Sequence, residues 1–298
     1  LHFAAVINSP KMINILADLG ADLNVCENQC KGSPLHIACR YGHFEAVDAL
    51  ISKGADVSIK MLDNQSVLHL SAQTGNLNIV RYILESGCCF DYQTGPITRS
   101  LTALQLAEKQ TIFIRYNEIV KLLTHVEKFF KAVAKNDTNF IETCLRYYNV
   151  PVNCRSIKYK SALTLASWKG HIEAVNLLLK NKAKVDISDH NNITPIFYAA
   201  KFGHVSIVDV LLCHGAKYNF KSIYNKTPLD FAIEGKNKEI IRILQLVTRL
   251  FNNVRDGKLD VVEELKRIKT QQPNVFKIVM NAHNNDNKSL YDVGFMGK

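Results

Sequence analysis

Apolar and polar positions along this 298-residue chain repeat with a period of about 33 residues. Residues 33–56 are the clearest copy, and related segments begin at Ser66, Ser161, Thr194 and Thr227. In each copy a short apolar run after Ser or Thr predicts one helix, and a second apolar stripe predicts another. A fixed period of this length indicates stacked helical hairpins rather than one globular core.

Residues 33–56 show the physical logic of one repeat. Ser33 can cap a helix, and Pro34 fits the first turn because its missing N–H has no intrahelical partner there. Gly42 ends this helix, and Phe44 opens the apolar stripe of a second helix that ends at Gly54. Neither helix can bury its apolar face alone, so the copies must stack on one another.

This pattern closely resembles the ankyrin repeat, and the resemblance covers nearly the whole chain. It implies an all-α fold, an ankyrin-repeat solenoid of helix-turn-helix units with short finger loops, about nine units plus a partial tenth. The predicted solenoid is a single domain over residues 1–298, with both ends cut from a longer array. The resemblance also implies that the fingers and the first helices line a concave groove.

Two joins depart from the pattern in the same way. The second-helix stripe that begins at Glu118, after an insertion of about four residues, continues past Val126 without finger residues. The stripe that begins at Glu239 continues past Val247 likewise. The shared irregularity indicates a duplicated block of repeats. The predicted finger-less joins lie near residues 124–128 and 245–249.

Composition narrows the class of partner. The formal net charge is +10 and the pI is about 9.1, which favours an acidic protein partner, although surplus surface Lys explains the charge equally well. The absence of a Lys/Arg block disfavours nucleic acid. The sequence contains no run of 18 apolar residues, so no transmembrane segment is predicted. The eight Cys residues lack metal-knuckle spacing and suit a reducing, cytoplasmic location.

Histidine is the most suggestive candidate for chemistry, with ten copies. The repeat explains six of them. By resemblance, three of them form a local bond near the start of a helix: His2, His36 and His69. Three others follow a Gly that ends a helix: His43, His171 and His204. The chain contains no phosphate-binding Gly loop, zinc pattern or nucleophile elbow. We therefore predict no enzyme activity, no metal and no cofactor.

The resemblance places candidate partner-binding residues at the two positions before each helix-ending Gly and in the fingers. Cations beside aromatic rings at these positions favour an acidic segment with apolar anchors, whereas packing of the same rings against the next repeat is the structural alternative. The predicted residues are Arg40, Tyr41, Gln73, Thr74, Lys158, Lys160, Trp168, Lys169, His190, Asn191, Lys201, Phe202, Tyr224 and Lys226, with Gln29, Asp63, Ala134, Lys135, Arg255 and Asp256 as further candidates.

The sequence thus predicts a non-catalytic scaffold that binds an acidic, partly apolar protein segment in the groove of the sixth to eighth repeats. Such a surface holds its side chains in place before binding, which lowers the ordering cost. An alternative from another class is the ankyrin arm of a secreted toxin or host-manipulating effector, since such arrays resemble those of latrotoxin-like toxins and bacterial effectors. A nucleic-acid-binding arm would instead show steep salt dependence.

Overall fold

The computed structural model describes residues 1–27, 31–94, 101–110, 113–156, 160–189, 191–258 and 260–295. Within these residues the chain forms eighteen helices and one two-stranded sheet, which confirms the predicted all-α repeat fold. The chain divides into two compact units. The N-terminal unit contains Leu1–Ala132 and Asn139–Ser161, and the C-terminal unit contains Val133–Thr138 and Ala162–Lys298.

The N-terminal unit is built from stacked helical hairpins. The first helices α1, α3, α5 and α7 pack in one row, and the second helices α2, α4 and α6 pack in another. The boundary between the units falls near the end of α8. The helices are α1 (His2–Val6), α2 (Pro10–Asp18), α3 (Pro34–Tyr41), α4 (Phe44–Ser52), α5 (Val67–Thr74), α6 (Leu77–Glu85), α7 (Ala103–Glu108), α8 (Ile114–Lys135) and α9 (Thr138–Arg146).

The C-terminal unit repeats this arrangement. Helices α10, α12 and α14 stack as first helices, and α11 and α13 stack beside them. An additional helix, α17, begins at Pro273 and packs against α13 and α16. The helices are α10 (Ala162–Lys169), α11 (Ile172–Lys180), α12 (Pro195–Phe202), α13 (Val205–Cys213), α14 (Pro228–Glu234), α15 (Lys238–Arg255), α16 (Asp260–Gln271), α17 (Pro273–Asn281) and α18 (Leu290–Phe295).

Local side-chain chemistry fixes the starts of α3 and α5. The N–H of Ser33 donates to Nδ1 of His36 at 3.2 Å, and the Ser33 hydroxyl lies 2.8 Å from the same nitrogen. Ser66 and His69 repeat this geometry at 3.1 and 2.8 Å. The local bonding expected for His36 and His69 is therefore confirmed, and it satisfies backbone donors that the helix leaves unpaired.

Polar side chains tie the ends of several first helices to the following repeat. His204 Nε2 lies 3.2 Å from the Trp168 carbonyl oxygen, and Asn237 Nδ2 donates to the Ala200 carbonyl at 2.7 Å. In the fourth repeat Tyr116 takes this place, because its hydroxyl donates to the Gln73 carbonyl at 2.6 Å. The residues inserted before Glu118 thus supply a contact that other repeats obtain from His or Asn.

Continuous helices cover both predicted finger-less joins. Helix α8 runs unbroken through residues 124–128, and α15 runs unbroken through residues 245–249. Helix α8 begins at Ile114, about one turn before the predicted start at Glu118, so that predicted boundary is wrong. The insertion lengthens the start of this helix, and Tyr116 within it is buried.

In each unit, the finger loop that follows the finger-less join pairs with a segment two repeats earlier. In the N-terminal unit this finger is a hairpin of β1 (Arg155–Ser156) and β2 (Lys160–Ser161), and Cys89 forms a parallel bridge with Arg155. In the C-terminal unit Lys217 forms the matching bridge with His283. A duplicated block would give this shared geometry.

Candidate functional site

The ends of α10 and α12 bring an aromatic pair together in the C-terminal unit. The ring centroids of Trp168 and Phe202 lie 6.4 Å apart with tilted planes. Phe202 keeps 49% of its surface exposed, whereas Trp168 is partly buried. The two rings therefore contact each other and still present an apolar surface to solvent.

Two Lys side chains lie beside aromatic rings at the ends of these helices. Lys169 Nζ lies 5.0 Å from the Trp168 ring centroid, and Lys201 Nζ lies 5.5 Å from the ring centroid of Phe231. Both Lys residues are exposed, and neither forms an ion pair with a carboxylate of the described residues. Cation–π contacts of this kind contribute about 0.5–1 kcal/mol at exposed sites and restrict where the ammonium groups lie.

Close approach of two repeats fixes the backbone that carries Lys201. Asn237 Nδ2 donates to the Lys201 carbonyl at 3.0 Å. Gly235 packs so closely that a Cβ atom there would overlap the Lys201 carbonyl oxygen. Gly235 has an ordinary φ of −75°, so it is required for space rather than for backbone conformation. The end of α12 is therefore held by the turn between α14 and α15.

The finger loops add a second group of exposed side chains. The Ile223 N–H donates to the Asn191 carbonyl at 3.0 Å, which joins two neighbouring fingers. Ile223 and Tyr224 remain 57% and 62% exposed. Lys226 forms an ion pair with Glu234 at the end of α14. Lys226 is therefore already compensated, unlike Lys169 and Lys201.

Two residues of this surface escaped the sequence analysis. Ile233, 51% exposed, and Glu234 occupy the last two positions of α14 before Gly235. They occupy the same two positions before Gly235 that Lys201 and Phe202 occupy before Gly203. The sequence does mark Ile233 and Glu234, because they are the two residues before Gly235, which follows the expected helix.

The predicted residues of the N-terminal unit form a less basic surface. Arg40 is exposed and its Nη2 lies 3.5 Å from Sδ of Met61. Tyr41 is 58% exposed and stacks on His43 at 5.9 Å between ring centroids. The end of α5 is more covered: the Gln73 carbonyl accepts from Tyr116, while the Thr74 hydroxyl donates to Ser71 and is partly buried.

The remaining candidates divide between described and undescribed residues. Lys160 lies in β2 and is partly buried. Asp63 is exposed and accepts the N–H of Gln65 at 3.1 Å, and the Ala134 carbonyl lies 3.2 Å from His171 Nε2. Lys135 is exposed, and Arg255 Nε lies 3.4 Å from the Asp256 carboxylate. The residues outside the described ranges are Gln29, Lys158 and His190.

Reactive chemistry is sparse among the described residues. They contain no cluster of three or more His, Cys, Asp or Glu side chains placed to hold a metal ion. Burial raises the pKa of Cys39 to about 12 and also raises the pKa of Cys88 and Cys154, which disfavours the reactive thiolate. In the described part of the chain no helix is both long and apolar enough to cross a membrane.

A family model described as ankyrin repeats matches residues 1–94, 129–222 and 163–256. The chain belongs to the ankyrin repeat family. The ankyrin repeat is a non-catalytic fold that supports a protein-interaction scaffold.

Several known proteins resemble parts of this ankyrin repeat chain. A putative palmitoyltransferase ZDHHC13 from Danio rerio is 27% identical over 66% of the chain and 26% of its own length. Palmitoyltransferase AKR1 from Lachancea kluyveri is 34% identical over 28% of the chain and 11% of its own length. The human transient receptor potential cation channel subfamily A member 1 is 27% identical over 67% of the chain and 19% of its own length. The chain therefore spans a minor part of each relative, and the activities in their names are not carried over to it.

Proposed function

We propose that this ankyrin repeat chain is a non-catalytic scaffold that binds an acidic, partly apolar protein segment on the concave surface of the C-terminal unit. The observation that carries this proposal is the Trp168–Phe202 pair, together with Lys169 beside the Trp168 ring and Lys201 beside the neighbouring Phe231 ring. Both cations lack a carboxylate partner among the described side chains, so an acidic ligand can supply one without breaking an existing pair.

The apolar part of the partner follows from the exposed side chains around the cations. Phe202, Ile223, Tyr224 and Ile233 each leave about half or more of their surface in water. Burial of such surface contributes about 25 cal/mol per Å² before the costs of association. Aromatic residues and cations at the centre of an interface are the types that most often dominate binding.

The C-terminal unit is favoured over the N-terminal unit as the binding site because of the charge and the exposure of its candidate side chains. At positions equivalent to Lys201 and Phe202, the N-terminal unit carries Gln73 and Thr74, and Tyr116 already bonds to the Gln73 carbonyl. Arg40 and Tyr41 remain available there. They provide a matched control surface of the same repeat phase.

An affinity capture from lysate compares three forms of the chain. The wild type should retain a protein partner that the Trp168→Ala/Lys201→Glu variant loses, and the Arg40→Ala/Tyr41→Ala variant should retain it. Nuclease treatment and two salt concentrations separate protein from nucleic acid, since phosphate contacts weaken steeply with salt. Identical protein lists for all three forms, or recovery of nuclease-sensitive material alone, would reject the proposal.

Two expectations from the sequence stay predictions. No observation of the fold favours a toxin or effector arm over a scaffold. A cytoplasmic location is supported by the seven described Cys residues, all of which are free thiols.

A further inference from the structure

The residues inserted before Glu118 expose two adjacent apolar side chains at the start of α8. Phe113 is 56% exposed and Ile114 is 86% exposed, which is the largest exposed fraction of any large hydrophobic side chain in the described residues. The contact with the end of α5 requires neither of them, because the Tyr116 hydroxyl makes the bond to the Gln73 carbonyl. Adjoining apolar side chains that stay in water mark a surface for interaction with another molecule.

Arg115 lies beside this apolar pair and contacts two aromatic rings. Its Cζ atom is 5.8 Å from the ring centroid of Phe113 and 5.1 Å from that of Tyr116. Its Nη2 also donates to the Tyr116 hydroxyl oxygen at 3.4 Å. Contacts of this kind restrict where the guanidinium lies before a ligand arrives, which lowers the ordering cost of binding.

The end of α5 leaves room for the Arg115 side chain. Gly75 has φ of 74°, and a Cβ atom there would lie 2.9 Å from Arg115 Nε. At the equivalent Gly170 the neighbour is the His204 ring, which would lie 2.6 Å from such a Cβ. The insertion therefore places a permanently charged guanidinium where another repeat has an imidazole.

The charge of Arg115 is not compensated within the described part of the chain. Arg115 is exposed and forms no ion pair with a carboxylate of the described residues. The next acidic residue along α8, Glu118, is paired with Lys121 at 2.8 Å. An anionic ligand can thus bind Arg115 without breaking an existing ion pair.

The surroundings of Arg115 favour a carboxylate over a phosphate as that anion. The planar fork of a guanidinium matches the two oxygens of a carboxylate through parallel N–H donors. Phosphate groups carry nearly two charges at neutral pH and are bound by clusters of Arg. Among the described residues, Arg115 is the cation that contacts the Phe113 and Tyr116 rings, and its other neighbours here are apolar.

We propose that the start of α8 binds an acidic segment of a partner protein, in which Arg115 holds an Asp or Glu carboxylate and Phe113 and Ile114 contact an adjacent apolar side chain. This surface shares no residue with the surface proposed for the C-terminal unit. The two proposals can therefore fail separately, and each has its own experiment.

The test is an NMR titration of the whole chain with a blocked Leu-Asp-Leu peptide. The Arg115 Nε–H signal and the Ile114 methyl signals should shift. A blocked Leu-Asn-Leu peptide keeps the shape and removes the charge, so it should bind about tenfold more weakly. A blocked Leu-phosphoserine-Leu peptide should bind no more tightly than Leu-Asp-Leu. These comparisons use the wild-type chain and do not depend on a variant that folds.

Substitutions on α8 separate a specific site from the general positive charge. Arg115→Gln should weaken Leu-Asp-Leu binding about tenfold, and Arg115→Lys about threefold, because Lys keeps the charge and loses the fork. Lys128→Gln removes one charge from another exposed position of the same helix and should bind as the wild type does. Circular dichroism checks that the variants are folded, and Gln is well tolerated in helices.

Several outcomes would overturn the proposal. Absence of shifts at Arg115, or shifts confined to the Trp168 indole, would place no acidic peptide at this surface. Equal binding of the Asp and Asn peptides, or equal losses for Arg115→Gln and Lys128→Gln, would show that the Arg115 fork does not recognise a carboxylate. Wild-type affinity of Arg115→Lys would contradict the two-donor contact, and tighter binding of the phosphoserine peptide would contradict the choice of carboxylate.

Discussion

The backbone N–H of Tyr218 donates a hydrogen bond to the carbonyl oxygen of His283 at 3.1 Å, across 65 residues. Phe90 and Arg155 form the same bond at 3.0 Å in the N-terminal unit, with the same separation in sequence. In each unit the donor residue also packs its ring against an aromatic residue of the long helix. In both units the same long-range contact therefore takes the place of the finger that is missing at the finger-less join.

Substitution of Gly215 tests this long-range contact. Gly215 has φ of 84°, and a Cβ atom there would lie 2.6 Å from Nδ1 of His283. Gly215→Ala should lower the free energy of unfolding by more than about 2 kcal/mol, since left-handed strain alone costs about 1–2 kcal/mol. Gly257→Ala is the control, because its φ is 68° and no atom would lie within 4 Å of its Cβ. Urea denaturation followed by Trp168 fluorescence reports on the C-terminal unit, and equal losses for both variants would contradict the contact.

Lys182 offers a stabilising substitution. It has φ of 65° and follows Asn181, the residue that caps α11, where Gly54, Gly87 and Gly215 occupy the matching position of other repeats. Lys182→Gly should raise the free energy of unfolding by about 1 kcal/mol because it relieves left-handed strain. Lys180→Gly, at the last position of α11, should instead lower it by up to about 1 kcal/mol. An unchanged or lower urea midpoint for Lys182→Gly would refute this explanation.

His36 should make the stability of the N-terminal unit depend on pH. Burial lowers the pKa of His36 to about 4 from the ordinary value of 6.5. Between these two pH values the unfolded chain binds more protons than the folded chain, so stability rises with pH. The shift corresponds to about 3 kcal/mol that is present above pH 6.5 and is lost as the pH falls towards 4. Burial lowers the pKa of His69 as well, which adds to the same slope.

The measurement is urea denaturation of the wild type and of His36→Gln by far-ultraviolet circular dichroism at several pH values between 7 and 4. The variant removes one titrating group and should show a shallower loss of stability. NMR titration of the His36 imidazole supplies an independent check. A His36 resonance that titrates near pH 6.5 would show that burial does not disfavour its charged form.

The Lys226–Glu234 ion pair should moderate the charge of the proposed binding surface. Glu234→Gln leaves Lys226 uncompensated, so affinity for a synthetic peptide of alternating Glu and Phe should increase, while the free energy of unfolding stays nearly the same because the pair is exposed. Lys226→Met should weaken binding less than Lys201→Met, because Lys226 is already paired. Trp168 fluorescence measures both affinities, and a stronger effect at Lys226 would contradict the assigned roles.

The sequence alone determined the repeat and its local chemistry. Ser33 with His36, and Gly42 at the helix end, are encoded within a few residues, so period and propensity suffice to place α3. The phase before each Gly likewise located the exposed ends of the first helices, including Lys201 and Phe202. Helix α8 began earlier than predicted because burial of Tyr116, which lies outside the repeat pattern, adds a turn to its start.

The tertiary structure decided which of these side chains remain free to bind. The pairing of Lys226 with Glu234 joins a finger to a helix end. The bond between Tyr218 and His283 spans two repeats. Periodicity describes contacts within a repeat and with its neighbour, whereas contacts across a skipped finger depend on how the stacked helices lie in space.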